Sequence, residues 1–330
     1  MSGACLNITC WGISRNSMSR GTSALAQGHR ATAMPDFLIL GAARAGTTAL
    51  HSYLRQNPNI FMPKAKEPNF FSFEGEILKY TGPGADYVNN SLTRLEDYRA
   101  LFDDAPPGSI CGEASPLYLF SPKAPERIHR HIPRVRMVVV LRNPVDQAFS
   151  HYLYAVKQRI EPLEDFTEAL EAEEKRLAAG WQPLFGYSRF PCYAKQLSRY
   201  FSLFDREQIL IRTYEDFQTD PKELVASITE FIGADTGFEP DLSSELNAGG
   251  IPRSRLFQDF LMKPNPVTGL IAQVMPQEVR WKIRDRLSQF NLRRGVTIPP
   301  RAREILRARL LPEIRALEDL LDRDLSAWRA

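Results

Sequence analysis

The chain has 330 residues, 43% of them hydrophobic and 25% charged, which is ordinary for a globular protein able to bury one large core. Its formal net charge of +3 is too small to call for nucleic acid, yet it leaves room for a local basic cleft around an anionic ligand. The four cysteines, Cys5, Cys10, Cys111 and Cys192, form neither a CxxC pair nor a His/Cys cluster at metal spacing, so no metal or disulfide framework is expected and a reducing, cytoplasmic compartment fits.

No run of about 18 apolar residues occurs, so no membrane-spanning helix is expected. Residues 1–35 hold Arg15, Arg20 and Arg30, and the first acid is Asp36. That composition suits a disordered extension, a start at Met34 or an acid-poor organellar transit peptide.

Residues 37–40 form an apolar run leading into a glycine-containing loop, and from Thr47 to Gln56 apolar positions at Leu50, Tyr53 and Leu54 recur at helical spacing. Asn57-Pro58 ends that helix, and residues 60–62 form a second short strand before Pro63. Between 74 and 105, Tyr80, Tyr87, Leu95, Tyr98 and Phe102 are spaced for partial burial in a lid or helical segment. Residues 109–113 read as a short strand, 124–131 as a helix, and 137–141 as a valine-rich run of the kind buried on both faces of a parallel sheet.

A helix over 145–156 follows, then an amphipathic helix over 193–201, a strand over 208–212 and a helix over 221–232 closed by Gly233. Residues 247–266 are loop-like and then mixed. Residues 300–328 carry an apolar helical stripe suited to packing on the chain's own domain or on a twin subunit in a homodimer. The alternation predicts a single α/β domain over 36–330 with a doubly wound parallel sheet, right-handed crossovers and a helical C-terminal tail.

A loop between a buried strand and a helix N-terminus presents backbone N–H groups to an anion. Residues 41–48, Gly-Ala-Ala-Arg-Ala-Gly-Thr-Thr, have that placement. The spacing nearly matches a nucleoside triphosphate loop, but Thr47 stands where the triphosphate-binding lysine is needed, and the cation, Arg44, comes three residues earlier. A second anion clamp is legible in Arg142-Asn143-Pro144 after the valine-rich strand, with Ser150 in the helix beyond. Together they describe two anion pockets at the carboxyl ends of parallel strands, where open α/β sheets bind ligands.

These motifs bring a family into view. Residues 37–54 resemble the 5'-phosphosulfate loop of the sulfotransferases that use 3'-phosphoadenosine 5'-phosphosulfate (PAPS), and VVVLRNPVDQAFSHY at 138–152 is similar to their 3'-phosphate segment. GEASPLYLFSPKAPERI at 112–128 and Tyr-Glu-Asp-Phe at 214–217 resemble the branch containing heparan sulfate sulfotransferases and bacterial homologues. The resemblance implies a three-layer, P-loop-type α/β fold. It also implies transfer of a sulfuryl group from PAPS to a hydroxyl or amine of a carbohydrate or small-molecule acceptor, without an obligatory metal and without nucleic acid as partner.

Carried over by position, Arg44, Ala45, Gly46, Thr47 and Thr48 would hold the 5'-phosphosulfate, and Arg142 with Ser150 the 3'-phosphate. The family places lysine where this chain has Arg44, so Arg44 is expected to stabilise leaving-group charge without donating a proton. Glu67, in Lys66-Glu67-Pro68-Asn69-Phe70-Phe71, matches the general base, and the phenylalanine pair is expected to desolvate it and raise its pKa. His51 and His151 are the alternative bases. Glu113 and Ser115 are expected to line the acceptor side, with Ala114 replacing a family lysine, while Tyr193 is expected to pack on the adenine and Arg253 in the loop 249–254 to close over the 3'-phosphate. A non-catalytic nucleotide-binding protein of the same fold and a P-loop kinase are the alternative functions.

Overall fold

The computed structural model describes residues 34–242, 250–263, 265–268, 271, 275–293 and 295–329. The expected N-terminal extension before residue 34, together with Gly249, lies outside the described residues.

Five strands form the central sheet: β1 Phe37–Gly41, β2 Ile60–Phe61, β3 Ile110–Ala114, β4 Arg136–Leu141 and β5 Ile209–Thr213. Their order is β2-β3-β1-β4-β5, and every pairing is parallel. All five residues of β1 are buried. Because strand side chains alternate faces, burial at every position means that both faces are covered, the reason β1 and β4 read as continuous apolar runs rather than alternating ones. Gly112 on β3 faces Phe37 on β1, and a Cβ at Gly112 would lie 2.1 Å from the Phe37 ring; only glycine lets that ring lie flat against the neighbouring strand.

Among the helices, α1 spans Thr47–Leu54, α2 Ala124–His131, α3 Pro144–Lys157, α4 Phe166–Ala178, α5 Tyr193–Phe201, α6 Pro221–Ile232, α7 Arg255–Met262, α8 Gln277–Phe290 and α9 Pro300–Leu321. Helices α1 and α6 pack on each other and on the sheet. Helix α9 packs along α5 and α3 and buries Leu306, Leu310, Ile314 and Leu317, so its apolar stripe is covered by the chain's own domain. Two short strands, β6 Ile251–Pro252 and β7 Leu292–Arg293, pair antiparallel and bracket α7 and α8. Among the described residues no helix is long and apolar enough to cross a membrane.

The segment 74–105, expected as a lid or helical segment, is helical only in short pieces, Asp86–Asn89, Leu95–Arg99 and Ala100–Phe102. Gly82 and Gly84, both at positive φ, let it lie directly on Trp181 and Ile160, where a Cβ would come within 2.7 and 2.8 Å.

Candidate active site

The parallel order reverses about β1, whose neighbours are β3 and β4, and the loops leaving these strands meet at their carboxyl ends. The β1 loop turns through Arg44 at φ 65° and Gly46 at φ 88° before α1 begins. Gly46 provides no side-chain cap, and the first turn of α1 holds no acid. Its N–H groups and the positive end of the helix dipole are therefore left to an external anion.

Helix α3 supplies the other wall. Asn143 caps it by accepting from the Val145 N–H at 3.0 Å, with Pro144 in the first turn. One face of α3 then meets the loop: Gln147 Nε2 donates to the Ala43 carbonyl at 3.0 Å, Ser150 Oγ accepts from Arg44 Nε at 3.4 Å, and the Tyr154 ring lies 4.6 Å from the Arg44 guanidinium. Arg142 donates to the Arg44 carbonyl at 3.0 Å while stacking 4.5 Å over Tyr214. The residues of the two expected anion clamps are thus in direct contact with one another. Burial lowers the Arg44 pKa, Tyr154 opposes that shift, and the Arg142 charge adds to it. Two guanidinium groups held this close favour a polyanion between them.

Glu67 sits opposite in a left-handed conformation, φ 61°, with Asn69 at φ 54°. Of the five non-glycine residues at positive φ among the described residues, Arg44, Glu67 and Asn69 all belong to this site; L-residues are costly there, and such strain concentrates where function fixes the backbone. The Glu67 carboxylate accepts from Lys66 Nζ and from Tyr87 Oη. Burial pushes its pKa up, but the Lys66 charge, the hydrogen bonds from Lys66 and Tyr87, and Arg44 together bring it below the ordinary value. This corrects the expected upward shift. Phe70 and Phe71 belong to the main core, where Phe70 stacks on Tyr98 and Phe71 meets Tyr118 edge-on.

Glu113 and Ser115 do not line an acceptor surface: both are buried, 1% and 0% exposed. Glu113 accepts from Tyr98 Oη at 3.1 Å and from Ser115 Oγ at 2.9 Å, and Ser115 Oγ in turn accepts from the Asn69 N–H at 3.1 Å. The Glu67 N–H donates to the Ala114 carbonyl at 3.1 Å. This network sits behind Glu67 and fixes its backbone. Burial raises the Glu113 pKa to about 7 against the opposing hydroxyls of Tyr118, Ser115 and Tyr98.

Both histidines are buried, and burial first, then neighbouring cations, lowers each to about 3. At neutral pH they are uncharged and weakly basic. Tyr193 is 1% exposed, its hydroxyl beside Arg142, so it has no free ring face for an adenine. Thr47 is buried and Thr48 exposed at the start of α1, while Ala45 is buried in the core. Arg253 is exposed and directly follows β6, which packs on the helix carrying Ser150.

Lys66, Tyr87, Gln147, Tyr154 and Tyr214 are functional neighbours that sequence reasoning missed. Gln147 and Tyr154 share a helical face with Ser150 at offsets of three and four residues, a signal that could have found them. Tyr87 arrives from a distant segment and carries no local signal, whereas Tyr214 opens the Tyr-Glu-Asp-Phe motif.

Fold and site together define an α/β protein built to hold an anionic ligand at the switch point of a parallel sheet. The chain belongs to the sulfotransferase domain family, whose model matches residues 34–247. It is 28% identical over 210 residues to heparan sulfate glucosamine 3-O-sulfotransferase 6 of Homo sapiens, covering 63% of this chain and 55% of that protein. It is 25% identical over 218 residues to the bifunctional heparan sulfate N-deacetylase/N-sulfotransferase 4 of Mus musculus, covering 61% of this chain and 22% of that protein. The chain thus spans about half, or less, of the length of these curated relatives. A sulfotransferase structure from Alicyclobacillus acidocaldarius superimposes with a TM-score of 0.69 at 33% identity, covering 90% of this chain and 100% of that one.

Proposed function

We propose that this protein transfers the sulfuryl group of PAPS to a hydroxyl or amine of a carbohydrate or small-molecule acceptor. The observation that carries the reading is the convergence of Arg44, Arg142 and Ser150 at an uncapped helix N-terminus, with Glu67 near enough to Arg44 for each to act on the other's pKa. The 5'-phosphosulfate takes the α1 N–H groups and Arg44, and the 3'-phosphate takes Arg142 and Ser150. Glu67 removes the acceptor proton as the acceptor attacks sulfur, and adenosine 3',5'-bisphosphate leaves with its new charge facing Arg44. Lys66 and Tyr87 keep Glu67 ionised at neutral pH, at some loss of basicity. Carbohydrate acceptors are supported by the names of the heparan sulfate relatives. Cytoplasmic residence belongs to the same proposal, supported by a sequence whose cysteines form neither a CxxC pair nor a recognisable disulfide framework.

Calorimetric titration tests the donor. Adenosine 3',5'-bisphosphate should bind in the micromolar range without magnesium and more tightly than ATP; preference for magnesium-ATP would favour a kinase and overturn the reading.

A further inference from the structure

Ten large apolar side chains are well exposed among the described residues, and nine of them lie between Leu256 and Phe290. Scattered exposed leucines are ordinary, but a contiguous cluster marks a covered surface. The pair α7 and α8 is also built inside out. Its seam is polar: Gln258 donates to the Lys157 carbonyl at 2.9 Å and to Ser288 Oγ at 2.8 Å, and accepts from Asn291 Nδ2 at 3.1 Å, all three side chains being buried. Its outer side is apolar. Val279, Ile283, Leu287 and Phe290 recur along one side of α8, and Leu256 and Phe260 along α7, with Leu256 84% and Phe290 80% exposed. The pair is anchored to the end of α3 by Arg159 to Asp259 at 2.5 Å and Lys157 to Asp285 at 3.3 Å.

Charge selects what covers this face. Residues 250–293 hold eight Lys and Arg against three Asp and Glu, a net +5, whereas the whole chain is only +3, so the remainder is net negative. Arg253, Arg286 and Arg293 are exposed on this unit. Two copies meeting through such faces would repel, while an apolar stripe rimmed by arginine fits a negatively charged lipid surface. We propose that α7 and α8 dock this protein onto anionic phospholipid bilayers, with the apolar side chains entering the headgroup boundary and the arginines meeting lipid phosphates.

Sedimentation of the full chain with vesicles tests this. Vesicles of phosphatidylcholine with added phosphatidylserine should carry it down, phosphatidylcholine alone should carry far less, and salt should weaken the binding. The triple change Leu256→Glu, Phe260→Glu and Ile283→Glu should reduce binding by about tenfold or more with an unchanged melting temperature, because these side chains are exposed. Arg286→Glu with Arg293→Glu, which leaves the apolar face intact, should remove the preference for phosphatidylserine. Failure to bind phosphatidylserine vesicles would overturn the proposal, as would binding by either variant equal to that of the unchanged protein. So would a solution dimer that the triple change splits.

Discussion

Arg44 joins the parts of the site: its carbonyl is held by Arg142, its Nε by Ser150 and its plane by Tyr154. Arg44→Ala should weaken adenosine 3',5'-bisphosphate binding by roughly 10- to 100-fold in calorimetry, the scale of a lost charge-assisted hydrogen bond. Arg44→Lys should lose less, since the charge remains and the stacking on Tyr154 goes. Glu113 titrates with the opposite sense to a salt-bridged acid. Its folded pKa of about 7 lies above its ordinary 4.5, so between these values the folded protein keeps a proton that the unfolded chain has released. Stability therefore falls as pH rises through that window, by on the order of 3 kcal/mol. Melting temperatures at pH ~5 and ~8 should show a drop of several degrees that Glu113→Gln reduces; an equal drop in both proteins would rule out Glu113 as its source. Arg44, Arg142 and Ser150 were legible because strand ends and helix starts mark them locally. Tyr87, which reaches Glu67 from a remote part of the chain, was not, because the path of its segment is set by packing.

At the level of elements, the valine-rich strands and the helices that follow them stand where periodicity placed them, since a parallel strand buried on both faces leaves an unbroken apolar run. Helix α4 escaped notice for the converse reason: its inward face is apolar only over Phe166, Ala169 and Leu170 and continues through the buried ions Glu173 and Arg176. Arg176 on α4 makes paired hydrogen bonds of 2.8 and 2.9 Å with buried Glu161, and Glu173 takes the Ser188 hydroxyl at 2.8 Å. Hydrophobic periodicity cannot report a face that buries ions. Arg176→Met should cost about 3–5 kcal/mol in urea unfolding, because it strands the Glu161 charge, and adding Glu161→Leu should recover part of that loss. Helices α7 and α8 were hidden for a related reason, their apolar side facing outward and their polar side inward.

For the whole molecule, a parallel sheet with anion-binding loops at the carboxyl ends of its strands followed from the alternation of strands and helices, whereas the strand order and the contact between the two expected anion clamps needed the chain in three dimensions. A ligand bridging β1 and β4 through their loops should stabilise the entire sheet. Saturating adenosine 3',5'-bisphosphate at about 100 times its Kd should add about 2.7 kcal/mol, raising the melting temperature by several degrees. ATP at the same concentration should add little. The central claim is that one carboxylate performs deprotonation beside a separate donor site, and Glu67→Gln tests it most directly when turnover of sulfur-labelled PAPS and bisphosphate affinity are measured on the same protein. Glu67→Gln should lose most sulfuryl transfer, at least about 100-fold, the range for removal of a general base, with bisphosphate affinity unchanged. Normal transfer by Glu67→Gln would contradict the claim.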